Sequence, residues 1–76
     1  MEEVKIGGRY RHFKGKEYKV ICLARDSGNP ERILVIYQAL YDSELGKNQI
    51  WTRELNEFLG FREENGKKIK RFTLIG

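Results

Sequence analysis

His12 and Cys22 are the only histidine and the only cysteine of the chain, and such a pair can do chemistry when the imidazole makes a thiolate of its neighbour. Their spacing argues against it. A hairpin turning at Gly15 sets opposite one another residues whose numbers sum to about 31, so His12 is expected to face Lys19 and not Cys22. Cys22 also falls in the middle of "EYKVICLAR", where a small buried thiol is inert. One histidine and scattered carboxylates offer no i, i+4 pair, no C-x-x-C and no EF-hand spacing for a metal. Glu63-Glu64 flanks a turn and reads as a solvated pair. "IGGRY" and "FKGKEY" lack the glycine–lysine spacing of a phosphate loop. The residues therefore predict no catalytic group, no metal and no cofactor: a binding module and not an enzyme.

Two sets of side chains suit binding. The first is basic. Arg9, Arg11, Lys14 and Lys16 lie near the start and Lys67, Lys68, Lys70 and Arg71 near the end, and side by side they would form a patch that tracks phosphates. The second is aromatic and polar: Tyr10, His12, Tyr37, Tyr41, Trp51 and Arg53. In a chain this small, half or more of the aromatic residues must be core. Tyr10, Tyr41 and Trp51 stand next to charged residues and are expected near the surface. Trp51 and Arg53, at i and i+2 on a strand, share a face, so a guanidinium can sit against a ligand held by the indole. The expected partner is RNA or single-stranded DNA. A protein partner, bound as an extended peptide in an aromatic groove, is the rival. A small-ligand or enzymatic site around His12, Tyr37, Trp51 and Arg53 is the third reading.

Composition bounds the scaffold that must carry these residues. Seventy-six residues predict a single domain over 1–76, and hydrophobic and aromatic fractions of 39% and 12% suffice for one core. With one cysteine, no internal disulfide supports it. Fifteen Lys and Arg against 11 Asp and Glu give a net charge of +4 and a pI near 9.4. Five of those cations lie between Arg9 and Val20, and four more, with no acid, lie between Gly66 and Gly76. "MEEVKIGGRY" opens with two acids and lacks the apolar stretch of a signal peptide, and "ILVIY" is far too short to span a membrane. A cytoplasmic protein is expected, consistent with a lone thiol.

Turn signals recur at short intervals, at "KGK", "DSGNP", "DSELGKN" and "ENGK", and the segments between them favour strands. "EYKVICLAR" places Tyr18, Val20, Cys22 and Ala24 on one face. "RILVIYQALY" is apolar on both faces and reads as a central strand covered twice. Gly28 is expected to supply a positive φ, and Pro30 starts the strand. "NQIWTR" is a shorter strand. Leu55, Phe58 and Leu59 then switch to helical spacing, with Gly60 as a C-cap. Asn65-Gly66 is the favoured type I′ pair for a closing hairpin, and the phase of Ile69 and Phe72 predicts a bulge near Lys70-Arg71. The order fits an all-β, SH3-like barrel of five to six strands with one short helical turn before the last strand or hairpin. Its first and last strands would be neighbours.

"GRYRHFKGKEYKV" at 8–20, "VIYQALY" at 35–41 and "WTRELNEFL" at 51–59 resemble a bacterial family of small stand-alone domains of unknown function. Its pattern runs G-x-Y-x-H-[FY]-K-G-x-x-Y-x-V, then Y-x-A-L-Y, then W-x-R-P-x-x-x-F. Glu54 stands where the family usually has proline, and the segment after Tyr41 lacks the usual glycine. The resemblance implies a compact, mostly β domain and implies no established activity.

Overall fold

A tight reversal at Gly15 sets the register on which the sheet is built. In the computed structural model, which describes residues 3–76, Gly15 has φ +103° and joins strands β1 (Arg9–His12) and β2 (Glu17–Asp26). Tyr10 lies opposite Tyr18 and Arg11 opposite Glu17. The His12 amide donates to the Lys16 carbonyl at 2.7 Å, and the Gly15 amide donates to the His12 carbonyl at 2.7 Å. The turn is thus tighter than the expected one, and His12 sits at its mouth instead of opposite Lys19.

β3 (Asn29–Ala39) returns along β2 after a turn shaped by Asp26, whose Oδ1 accepts the Gly28 amide at 2.9 Å. That side chain does the work expected of Gly28, which has no positive φ. A two-stranded ribbon follows, β4 (Asp42–Ser43) with β5 (Gly46–Lys47), then β6 (Ile50–Glu54) and the helix α1 (Leu55–Leu59). Gly60 closes the helix in an extended conformation. It suits the position because a Cβ there would stand 2.8 Å from the Asn56 carbonyl oxygen. β7 (Phe61–Glu64) and β8 (Lys67–Lys70) form the closing hairpin. Asn65 and Gly66, at φ 53° and 77°, supply the two positive φ values that a type I′ turn requires. The expected irregularity at Lys70-Arg71 is a full departure: Arg71 bends the chain out of the ribbon, and β9 (Phe72–Leu74) pairs with β1.

The main sheet has the order β6-β3-β2-β1-β9, antiparallel throughout. First and last strands are neighbours. The domain is small, mostly β and carries one short helix before its last hairpin, but the sheet is open: among the described residues no ladder joins β6 to β9. Helix α1 covers the inner face in place of barrel closure. Phe58, from α1, stacks on Phe72, from β9, with ring centroids 4.1 Å apart and planes 8° apart. Tyr10, Val20, Val35 and Tyr37 complete this core.

Three expectations about faces are corrected here. The β2 ladder slips between Val20 and Cys22, and that bulge reverses the alternation beyond it. Cys22 therefore lies opposite Ile36 on the outer face and is exposed, not buried. Strand β3 is covered on one face only, since Leu34 and Ile36 remain half-buried on the other. Tyr10, expected near the surface, is a core ring at 3% exposure, because its hydroxyl accepts the Lys5 amide at 2.9 Å and its polar end is thereby satisfied inside.

Phe58→Ala is expected to cost about 3–5 kcal/mol, as for other large-to-small aromatic core changes. That is a large part of the roughly 5–15 kcal/mol that stabilises a domain. Urea denaturation followed by far-UV circular dichroism checks it, and a loss below about 1 kcal/mol would contradict the role given to the Phe58–Phe72 stack.

Candidate functional site

Because the β1–β2 turn is tight, it delivers His12 and Phe13 to one end of the inner face. His12 lies opposite Phe72 on the β1–β9 ladder, with ring centroids 5.0 Å apart, and its ring is 4.3 Å from that of Phe13. The Lys14 amide donates to Nδ1 of His12 at 3.2 Å, so the neutral tautomer carries its proton on Nε2. Partial enclosure lowers the pKa of His12 below its usual 6.5, and the charges of Arg53, Arg71, Lys14 and Arg62 lower it further. His12 and Cys22 occupy opposite faces of the sheet and do not form a pair.

Beside this imidazole the Tyr18 and Tyr41 hydroxyls share a 2.7 Å hydrogen bond. Burial, and then that bond, push the Tyr18 pKa far above its ordinary value, so the pair is a neutral polar rim. The Lys16 ammonium lies 5.0 Å from the centre of the Tyr41 ring. Lys16, Tyr41 and Trp51 then line a cleft of about 420 Å³ whose far wall is the β4–β5 ribbon, residues 42–45. Trp51 is 39% exposed, so its indole is open to a ligand while its strand partner Tyr37 is core.

Arg53 shares the Trp51 face of β6. Its Nη1 donates to Glu57 at 3.5 Å, while its Nε is enclosed without a partner. Arg71 donates from Nε to the Glu57 carbonyl at 3.1 Å, and its own carbonyl accepts the Phe13 amide at 3.0 Å. The Arg62 guanidinium stands 5.2 Å from the Phe13 ring centre and the Lys14 ammonium 5.9 Å from it. The charges of four cations therefore act on one imidazole.

The fold brings together His12, Lys14, Lys16, Tyr41, Trp51, Arg53 and Arg71 of the residues singled out in the sequence. It separates others. Arg9 and Arg11 flank buried Tyr10, so they point to the outer face, where both pair with Glu17 at 3.5 Å. Lys67 and Lys68 lie across the β7–β8 ribbon from Glu64 and Glu63, and Lys70 lies opposite Phe61. The eight basic residues are thus not one surface. Tyr10 and Tyr37 belong to the core and present no ring to a ligand. Two neighbours escape sequence reasoning, Arg62 and Tyr18. Arg62 was masked by the acids that follow it, and Tyr18 read as an ordinary inward strand residue.

Over residues 8–74 the chain matches the protein family of unknown function DUF1653. The chain belongs to that family. A DUF1653 protein from Bordetella bronchiseptica, solved by crystallography, is similar to it at 28% identity and a TM-score of 0.77, over 92% of this chain and 86% of that one. No curated protein matches. The DUF1653 span encloses every residue of the cleft and of the cluster around His12. Among the described residues no group of three or more His, Cys, Asp or Glu side chains is placed to hold a metal ion, and no helix is long and apolar enough to cross a membrane.

His12 binds a proton less readily in this folded domain than in the unfolded chain. Its contribution to stability is therefore present above its ordinary pKa of 6.5 and lost as pH falls through the lower folded value. The thermal midpoint of the wild type is expected to drop more steeply between about pH 7.5 and about pH 5.5 than that of His12→Gln. Parallel pH profiles of the two proteins would contradict the cationic surroundings assigned to His12.

Proposed function

We propose that this DUF1653 domain is a non-catalytic binding module for single-stranded nucleic acid, RNA or DNA. The observation that carries the proposal is the placement of a half-exposed Trp51 in one cleft with Tyr41 and Lys16, beside the cations around His12. A base stacks on the indole, and the phosphates that follow it meet Lys14, Lys16, Arg53 and Arg71. Stacking is sequence-tolerant because every base has a π face, and it is worth roughly 1–3 kcal/mol per base. The described residues extend only 35 × 31 × 23 Å, so the footprint is a few nucleotides. We place the protein in the bacterial cytoplasm, where the exposed Cys22 stays reduced.

A second reading is favoured by one feature. Asp42 and Glu44 stand in the wall of the Trp51 cleft, and β6 is an edge of the sheet. An extended basic peptide adding to that edge would put cations on those acids and a side chain on the indole.

Trp51 is the only tryptophan, so its fluorescence reports on the cleft directly. Titration with an oligouridylate at low salt is expected to quench it, and the log of affinity should fall with log salt by about 0.7 for each phosphate contact. In anisotropy measurements with a labelled strand, Trp51→Ala should weaken binding by about tenfold or more. Absence of quenching at low salt would overturn the proposal. Binding of a basic peptide, lost in Trp51→Ala but kept when Lys14 and Lys16 become glutamine, would establish the peptide reading instead.

A further inference from the structure

We infer that the cluster around His12 is a discrete pocket for a phosphate dianion, free or at the 5′ end of a strand, and that its occupation draws a proton towards His12. This rests on the nucleic-acid reading only for the strand; the pocket itself rests on the geometry around the imidazole.

Beyond cations that can meet the successive monoanionic phosphodiesters of a strand, positive charge gathers at the Phe13 ring. The Arg62 guanidinium and the Lys14 ammonium both lie within 6 Å of the Phe13 ring centre, and that ring is 4.3 Å from His12. The Arg71 carbonyl accepts the Phe13 amide, its guanidinium is held on the Glu57 carbonyl, and the charges of Arg53 and Arg71 both act on His12. The rings that meet His12 from β2 and β9, Tyr18 and Phe72, carry no charge. Glu57 of α1 is engaged by Arg53 through its carboxylate and by Arg71 through its carbonyl. The four like charges that act on His12 repel one another in the free protein, and a doubly charged oxyanion relieves that repulsion most efficiently.

His12 completes the site. With Nδ1 accepting the Lys14 amide, its Nε2–H is the remaining donor, and a phosphate oxygen is a matching acceptor. An anion placed there reverses the sign of the local field, so the imidazole holds a proton more readily when the pocket is full than when it is empty. Reciprocity follows: the anion must bind more tightly as His12 protonates.

A chain with a single histidine gives a single imidazole resonance to follow by NMR. Titrating its Cε1 proton against pH, with and without inorganic phosphate, is expected to show a higher midpoint in phosphate. A 5′-phosphorylated oligouridylate should raise the midpoint in the same way and bind at least several-fold more tightly than its 5′-hydroxyl counterpart. Inorganic phosphate acting alone would assign the pocket to free phosphate. Lys14 and Arg62 are exposed, so the double variant Lys14→Gln, Arg62→Gln should fold, as an unchanged Trp51 emission spectrum would verify, and should abolish most of the phosphate effect. A midpoint unmoved by saturating phosphate overturns the pocket even if strands quench Trp51. A phosphate-dependent midpoint with no quenching by any strand leaves the pocket standing and removes the nucleic-acid reading.

Discussion

The parallel stack of Phe58 on Phe72 is the contact on which the remaining structure depends. An open five-stranded sheet must cover its inner face, and a helix of five residues has no stability of its own. Each solves the other's problem when the helix drives one aromatic ring against the last strand. Both rings are almost fully enclosed, and Tyr10 and Tyr37 meet Phe58 edge-on at 5.2 and 5.4 Å. The same contact fixes the chain between them: the Arg71 amide donates to the Gly60 carbonyl at 3.0 Å. Holding the end of α1 to the start of β9 places Glu57 where it engages both Arg53 and Arg71.

Charge is distributed over this scaffold with a clear asymmetry. On the outer face cations are paired with acids: Arg9 and Arg11 share Glu17, and Arg32 bridges Asp26 and Glu54 at 3.3 Å each. Such exposed pairs contribute little stability. Near the β1–β2 turn the charges of Lys14, Arg53, Arg62 and Arg71 all act on His12, and the Glu57 carboxylate pairs with Arg53. A modest net charge of +4 therefore understates the field at His12, on which four cations act.

Much of the scaffold is legible in the sequence, and the reasons differ from element to element. Asn65-Gly66 and the Leu55, Phe58, Leu59 spacing are local signals, so the closing hairpin and α1 fall where the residues put them. Trp51 and Arg53 keep a common face because β6 is short and unbroken. The bulge at Ile21 has no marker in an apolar run, and it alone turns Cys22 from an expected core thiol into an exposed one. Tyr10 misleads for another reason. Its charged neighbours Arg9 and Arg11 are on the opposite side of a strand, where period-two alternation sends them away from the ring they flank. The split of the basic segments follows from the same alternation and from the departure of the chain at Arg71, which parts Lys67 and Lys68 from Arg71. Arg62 joins the site only through tertiary placement of β7 over Phe13, which no local spacing encodes.

One experiment bears most directly on the central claim that the inner-face end near the β1–β2 turn is the binding surface. Amide chemical shifts of the labelled protein, recorded during addition of a single-stranded oligonucleotide, distinguish the two faces residue by residue. The expected result is a contiguous set of perturbations at Lys14, Lys16, Tyr41, Trp51, Arg53 and Arg71, with Lys19, Cys22 and Arg32 unmoved. Perturbations confined to the outer strand positions, or none at any residue, would contradict it.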